Sequence, residues 1–388
     1  MRLTRRTQSQ PNSPIGAHAH LLDQVPSNKP LLNLSQGAPG FPPAPSVQQR
    51  MADVALADDG SRYGPLRGLD KLRLELLRDL TASYGDNNLT VDDICITSGC
   101  NQAFTMVVSA ITEPGDDVIL PVPYYFNHDM WLAMDSMVPN YVHSANGVAP
   151  TVAEAEAVIT DRTRAIVLVT PGNPTGHILE PSLIGEFADL AREKDIALIL
   201  DETYRSFVPD SIGLHGLFNN PTWRDNIVSL HSFSKDLAIP GQRVGAIVGD
   251  PELLTEAAKL IDCISICPPR IGQEAAHAGL SEAGEWRADK VAEIAAKQQR
   301  FEDVMANAPG GFRLLSAGAY YGWVSHPFAN TPTPDIVEQL LLEQGVLAIP
   351  GTAFTPTDEQ NIRFSFANVE LDRIDELTDR LSEFAASR

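Results

Sequence analysis

The sequence predicts an α/β protein: a mostly parallel sheet of the seven-stranded type, flanked by helices, with a smaller α+β domain beside it. Three observations carry this expectation. From about Val91 onward, short apolar runs alternate with stretches of helical spacing. Several of those runs end on polar residues next to glycine or proline. After about Gly284 the alternation stops, and one long amphipathic stretch leads into separate strand-like runs.

Taken in order, the segment Met1 to Pro30 starts basic, with Arg2, Arg5 and Arg6, but lacks the apolar core of a secretory signal. Gly37 to Pro45 reads as a connecting loop, because its prolines remove donors and fix φ. Ile94 to Thr97 is a short apolar run, followed by Ser98-Gly99 and a helical stretch from Gln102 to Thr112. Asp117 to Leu120 and Ala165 to Val169 are further strands, the second running into the loop Pro171 to Gly176. A helix is expected over Ser182 to Lys194. Ile196 to Leu200 ends on Asp201-Glu202, Ile227 to Leu230 ends on His231-Ser232, and Val244 to Val248 is one more run. Continuous apolar strands separated by helices belong to a sheet covered on both faces. Polar residues just past the strand ends then line the ligand crevice, which puts Ser98, Asn173, Asp201 and Ser232 along one edge. Trp286 to Asn307 is the long amphipathic stretch, and Gly318 to Val324 and Ile362 to Phe366 are the later strand-like runs. At roughly 150 residues per domain, 388 residues imply two or three domains. The expected division is an N-terminal arm with part of the small domain (1–50), a large domain (51–284) and a small C-terminal domain (285–388).

Composition excludes several classes. Lys and Arg number 29 against 50 Asp and Glu, a formal charge of −21, which disfavours nucleic acid and anionic membranes as partners. Four cysteines without C-x-x-C spacing make neither a disulfide scaffold nor a metal site. No apolar run reaches the roughly 18 residues of a membrane helix. No period of 20–50 residues marks a repeat architecture. The expectation is a soluble cytoplasmic protein.

Four segments carry the chemistry. Lys235, in Ser232-Phe233-Ser234-Lys235, follows a buried strand. Desolvation there would lower its pKa and free the amine as a nucleophile toward a carbonyl; a surface lysine is the ordinary alternative. Asp201 ends a strand, where a carboxylate suits a protonated pyridine nitrogen or, equally, a helix N-cap. Asn173 opens Asn-Pro-Thr-Gly, either a contact to a phenolic oxygen or a turn. Ser98-Gly99-Cys100-Asn101 opens a helix whose free amides make an anion site. It matches neither the Walker nor the dinucleotide glycine pattern.

In this order and spacing, with Asp201-x-x-Tyr204 and Gly241-x-Arg243, the segments resemble the fold-type-I pyridoxal-phosphate enzymes of the aspartate aminotransferase superfamily. The class I/II aminotransferases are the nearest match, from Gly37 to the C-terminus. The resemblance implies that Lys235 carries pyridoxal 5'-phosphate as an internal aldimine and then moves the substrate proton. It implies that Asp201 pairs with the pyridine nitrogen, supported by His128, and that Asn173 and Tyr204 bind the ring's phenolate oxygen. Tyr125 would stack on the ring. Gly99, Cys100, Asn101, Ser232 and Arg243 would hold the phosphate, with Tyr63 reaching it from the second subunit of a homodimer. Cys100 stands where relatives often carry Ala, Gly or Thr, a change that backbone donation tolerates. Arg363 would grip the substrate α-carboxylate, beside Gly37 and Asn173. Strand alternation puts Arg363 and Ser365 on one face, and Ile362, Phe364 and Phe366 on the other.

The implied reaction is transfer of an amino group from an L-amino acid to a 2-oxo acid by a ping-pong mechanism. β-Elimination by a C–S lyase, or racemisation, is the alternative on the same fold. A PLP-binding regulator would need a DNA-binding domain, for which there is no room before Gly37, and a dehydrogenase would need the glycine fingerprint. Relatives specific for dicarboxylates commonly bring an arginine from the partner subunit. The matching stretch, Asp262 to Pro269, has none, and Arg270 is expected at the start of the next helix, facing away. With Phe41, Tyr124 and Ile266 offering apolar contacts, the expected amino donor is neutral, apolar or aromatic, with 2-oxoglutarate or pyruvate as acceptor.

Overall fold

The computed structural model describes residues 1–85 and 87–388. Its central element is a seven-stranded sheet, built from β2 (Ile94–Thr97), β3 (Asp117–Val122), β4 (Val138–His143), β5 (Thr163–Val169), β6 (Ala197–Asp201), β7 (Ile227–Ser232) and β8 (Gly245–Val248). Their order across the sheet is β2-β8-β7-β6-β5-β3-β4. The strands from β7 to β4 pair in parallel, while β8 runs antiparallel to both its neighbours.

Residue alternation explains why both faces need cover. Ile119, Ile166, Leu168, Leu198 and Leu200 point into one core, with Leu72, Leu76 and Leu80 of the helix Asp70–Tyr84 and Phe187 of the helix Pro181–Glu193. Val118, Leu120, Val167 and Ile199 point into the opposite core, against Phe104 and Val107 of the helix Cys100–Ile111. Each face buries apolar surface worth roughly 25 cal/mol per Å², and the apolar stripes of the helices cover it. The helix Pro181–Glu193 begins on proline, whose missing N–H costs nothing in the first turn.

The edge strand β4 has no counterpart in the expectation drawn from sequence. Val138-Pro139-Asn140-Tyr141-Val142-His143 pairs only with β3 and is mostly solvated, so it lacks an apolar run, and its proline is tolerated at an edge. The helices expected at Gln102 and Trp286 begin two residues earlier, at Cys100 and Gly284.

The second core lies beyond the 22-residue helix Gly284–Met305. β9 (Arg313–Gly318), β10 (Tyr321–Ser325), β12 (Ile349–Pro350) and β13 (Asn361–Ser365) form an antiparallel sheet in the order β12-β13-β10-β9. Near the N-terminus, β1 (Leu32–Asn33) pairs in parallel with β11 (Val346–Leu347). Leu32, Leu34, Phe301, Ile362, Phe364 and Phe366 share that core. Among the described residues, no helix is long and apolar enough to cross a membrane.

Candidate active site

Strand register builds the site. Val169 pairs with Asp201, and Asp201 with Leu230, so β5, β6 and β7 end almost level. Ser232 and Thr97 both pair with Gly245, which brings the start of β8 to the same edge. A cleft of about 180 Å³ opens there. Gly37, Cys100, Asn101, Tyr125, Asn173, Asp201, Tyr204, Ser232, Lys235, Arg243 and Arg363 all line it, brought from segments spread along the chain.

At one end the helix Cys100–Ile111 presents its first turn, whose amides have no partner within the helix. Gly99 precedes it at φ +93°, a conformation that favours glycine, and a Cβ there would run into the Arg243 guanidinium. Gly245 is as necessary, since a Cβ on it would stand 2.7 Å from the Cys100 nitrogen. Two missing side chains thus leave a concavity between a helix N-terminus and an exposed arginine.

In the middle lies Asp201. His128 Nε2 stands 3.3 Å from its Oδ2, the Thr203 amide donates to Oδ1 at 3.1 Å, and the Cys100 thiol lies 3.6 Å from Oδ1. Burial pushes the carboxyl pKa up, but the bond and charge of His128 outweigh it and hold the group below its ordinary value. His128 itself stacks on Phe104 at 3.9 Å, which fixes the imidazole. Behind this pair, Tyr84 donates to Glu202 at 2.6 Å and so ties the end of β6 to the helix Asp70–Tyr84.

Lys235 is half-buried, and its Nζ donates to the Gly37 carbonyl at 2.5 Å. Burial, with the Arg363 and Arg243 charges, lowers its pKa to about 8. Arg363 is only 1% exposed. Its Nη1 donates to Asn173 Oδ1 at 2.8 Å and its Nη2 to the Ser35 carbonyl at 2.5 Å, while its Nε is buried without a partner. The rings of Tyr321 and Phe354 lie 4.6 and 4.9 Å from the guanidinium carbon. The expected alternation holds on β13: Ile362 and Phe364 enter the small core, and Arg363 faces the cleft.

Three expectations are corrected. Phe41 packs on Trp286 at 5.7 Å, under the Lys290 amine at 4.8 Å, because the helix Gly284–Met305 offers it a better apolar seat than the cleft. Tyr124 stacks on Tyr141 of β4 at 5.3 Å and faces a separate small cavity. Ile266, on the stretch that relatives bring to the partner subunit, follows the helix Pro251–Ser265 and is exposed. The apolar wall of the cleft comes instead from Ile15, Ala38 and Phe126. Ser98, expected along the edge, turns its hydroxyl inward, where it has no partner. Tyr63 lies outside this chain's own cleft and is 77% exposed. Arg270 opens the helix Arg270–Glu282 and binds Asp59 at 2.9 Å, away from the cleft.

Sequence reasoning missed Ile15, Thr203 and Tyr321. Tyr321 had a legible signal: it alternates with Trp323, which pairs with Arg363 across β10 and β13.

The donor set fits pyridoxal phosphate group by group. The glycine-made concavity with Arg243, Ser232 and free amides suits a phosphate. Asp201 suits a protonated ring nitrogen, Asn173 and Tyr204 a ring oxygen, and Lys235 an aldehyde.

Comparison with known proteins identifies the family and the fold. The family model described as aminotransferase class I and II matches residues 29–381. The chain is 27% identical to an aspartate aminotransferase of Sulfurisphaera tokodaii over 91% of this chain and 90% of that one. It is 29% identical to an aromatic aminotransferase of Arabidopsis thaliana, covering 83% and 82%. The solved structure of Thermus thermophilus aspartate aminotransferase with maleate superposes with a TM-score of 0.88 at 25% identity, covering 99% of this chain and 100% of that one.

Proposed function

The chain belongs to the aminotransferases of class I and II, and from that membership we propose that it transfers the amino group of a neutral, apolar or aromatic L-amino acid to a 2-oxo acid on pyridoxal 5'-phosphate held by Lys235. The observation that carries the reading is the convergence in one cleft of a lysine of lowered pKa, a buried carboxylate and a buried arginine.

When bound, pyridoxal phosphate supplies an aldehyde that accepts amino groups and a ring that draws electrons from the substrate's α-carbon. The protein does the rest. Lys235, with a pKa of about 8, keeps a usable fraction of free amine near neutrality. That amine would hold the cofactor by its aldehyde and, when free, would take and return the substrate's α-proton. Asp201, held ionised by His128, would keep a proton on the ring nitrogen. Arg363 retains unspent donors for a carboxylate, and its planar fork orients the substrate. Because donor and acceptor both carry that carboxylate, one grip serves two successive half-reactions, which is the logic of ping-pong kinetics.

The side-chain preference rests on charge. Among the described residues, the cations of the cleft are Lys235, Arg243 and Arg363, each with a role above, and the rest of the wall includes Ile15, Ala38 and Phe126. Asp59 holds Arg270 elsewhere. Assembly as a homodimer is part of the reading. Leu56, Tyr63, Leu66, Ile264 and Ile266 expose apolar surface. Their segments meet where the Gly64 amide approaches Cys267 Sγ at 3.3 Å. A second copy seated there would receive Tyr63 at its phosphate site.

The test is the purified protein, loaded with pyridoxal phosphate, on a panel of amino acids with 2-oxoglutarate or pyruvate, read by 2-oxo acid formation. Acceptor-dependent product supports the reading. Ammonia released without any acceptor overturns it in favour of elimination.

A further inference from the structure

Tyr204 and Tyr321 are 117 positions apart in sequence, yet their hydroxyl oxygens lie 2.6 Å from each other in the buried floor of the cleft. Tyr204 comes from the loop after β6, and Tyr321 opens β10 of the other sheet. The close approach is built in. A Cβ on Gly37 would overlap the Tyr321 hydroxyl, so the absence of a side chain there is what lets that oxygen reach Tyr204. The Tyr321 ring lies on the Arg363 guanidinium at 4.6 Å. Tyr321 therefore touches the residue proposed to hold the substrate carboxylate and the residue proposed to bind the ring oxygen of the cofactor.

A phenol has one proton to donate. If Tyr204 gives its proton to the ring oxygen, its own oxygen must accept from Tyr321. We propose that Tyr321 is a positioning residue of this site: its hydroxyl donates to Tyr204, aims the Tyr204 proton at the cofactor's ring oxygen and strengthens that bond. The inference rests on the pyridoxal-phosphate reading above. The surroundings support the direction of donation. Burial raises the pKa of both phenols, and the Arg363 charge opposes the rise at each. The guanidinium lies on the Tyr321 ring itself, at 4.6 Å, which favours Tyr321 as the donor. The other ionisable groups facing the pair are Asp201, Tyr125, Lys235 and Tyr320; the Lys235 Nζ lies 5.8 Å from the Tyr204 ring centre and the Tyr320 ring 5.4 Å from that of Tyr204.

A donor on the ring oxygen withdraws charge from it. The proton which that oxygen would share with the Lys235 nitrogen, once joined to the cofactor's aldehyde carbon, would then be held less tightly. Loss of Tyr321's proton should reverse part of this effect. The experiment is an absorbance titration of the bound cofactor between pH 5 and 10, without substrate, on wild type, Tyr321→Phe, Tyr204→Phe and the double variant. A polarised chain strengthens each bond by about 10–30%, so Tyr321→Phe should raise the chromophore's pKa by about 0.3 pH unit. Tyr204→Phe should raise it several times further. The double variant should match Tyr204→Phe alone, because Tyr321 acts only through Tyr204. 3-Fluorotyrosine at position 321, a stronger donor of nearly the same shape, should move the pKa down and provides the test should the phenylalanine variant fold poorly. An unchanged pKa in Tyr321→Phe, or an equal shift in the Tyr204→Phe background, overturns the proposal. A wild-type protein that develops no cofactor absorbance overturns the underlying reading instead, so the two failures are distinguishable.

Discussion

His128 and Asp201 form a buried pair at 3.3 Å, at the point where β6 ends and the cleft begins. Each is held from behind: His128 stacks on Phe104, and Asp201 takes the Thr203 amide. The pair keeps a full negative charge in a poorly solvated place, a state that costs free energy unless a positive group shares it.

Asp201→Ala should therefore leave the cofactor bound and slow α-proton removal by about 10²-fold or more, as loss of a preorganised charge does. His128→Phe should give a smaller loss and a higher midpoint of acid unfolding. The sign follows from linkage. The folded carboxyl has a lowered pKa, so its contribution is complete above the ordinary value near 3.9 and disappears as pH falls below that. Single-turnover rates check the first expectation and acid titration of the apoprotein the second. An unchanged rate in Asp201→Ala at equal cofactor occupancy would remove Asp201 from the mechanism.

Borohydride reduction of the loaded protein should fix the cofactor on Lys235, read by peptide mapping, and Lys235→Ala should abolish the label. Label on Lys259 instead would refute the assignment.

Lys235 also predicts a stability window. Its pKa is about 8 in the folded apoprotein and about 10.4 unfolded, so between those values the unfolded chain binds more protons. Stability from this group must then rise with pH across that window, by up to about 3 kcal/mol. Lys235→Met lacks the effect. Denaturant unfolding of the two apoproteins at pH 7 and pH 10.5 should show the wild type gaining that much relative to the variant. A constant difference would mean that the amine is not desolvated.

Arg363→Leu should raise KM for amino and 2-oxo acids alike, by about 10–100-fold, the worth of charge-assisted bonds to a carboxylate. Amines without a carboxylate should be little affected. The variant also removes the donors to Asn173 and the Ser35 carbonyl, so a stability loss of about 1–3 kcal/mol is expected. Equal kinetic losses for carboxylated and decarboxylated substrates would assign Arg363 to structure alone.

Methionine, leucine or phenylalanine should be a better donor than aspartate. If kcat/KM for aspartate exceeds all three by about tenfold, roughly 1.4 kcal/mol, a cation serves the side chain after all, and Arg270→Ala is the variant that would identify it.

The parts of this molecule legible in the sequence share a physical cause. β5, β6 and β7 are covered on both faces, so they are written as continuous apolar runs, and the register of a parallel sheet brings their last residues together. Asp201, Asn173 and Lys235 could be found from such runs and from the spacing of the segments that follow them. β4 could not, because an edge strand needs neither burial nor alternation. Alternation with Trp323 could have put Tyr321 on the face of Arg363, but its contact with the Tyr204 hydroxyl, 117 positions away, is recorded by no local pattern. Phe41 was misassigned for the opposite reason. Its loop was identified correctly, but the direction of one ring depends on Trp286, far along the chain.

The pairing of β1 with β11 sets the order in which this molecule can become active. The Ser35 carbonyl and Gly37 come from one end of the chain and Arg363 from the other, and each is positioned by strands that meet only when both ends are present. During synthesis, the large sheet and the edge that lines the cleft can be covered once the helix Arg270–Glu282 has emerged, while Arg363 must wait for about eighty further residues. Contacts of such range are slow to form. A chain clipped by a protease after β10 would keep Asp201 and Lys235 in place and lose Arg363 altogether. Such a fragment would retain the means to colour with cofactor while no longer orienting an amino acid.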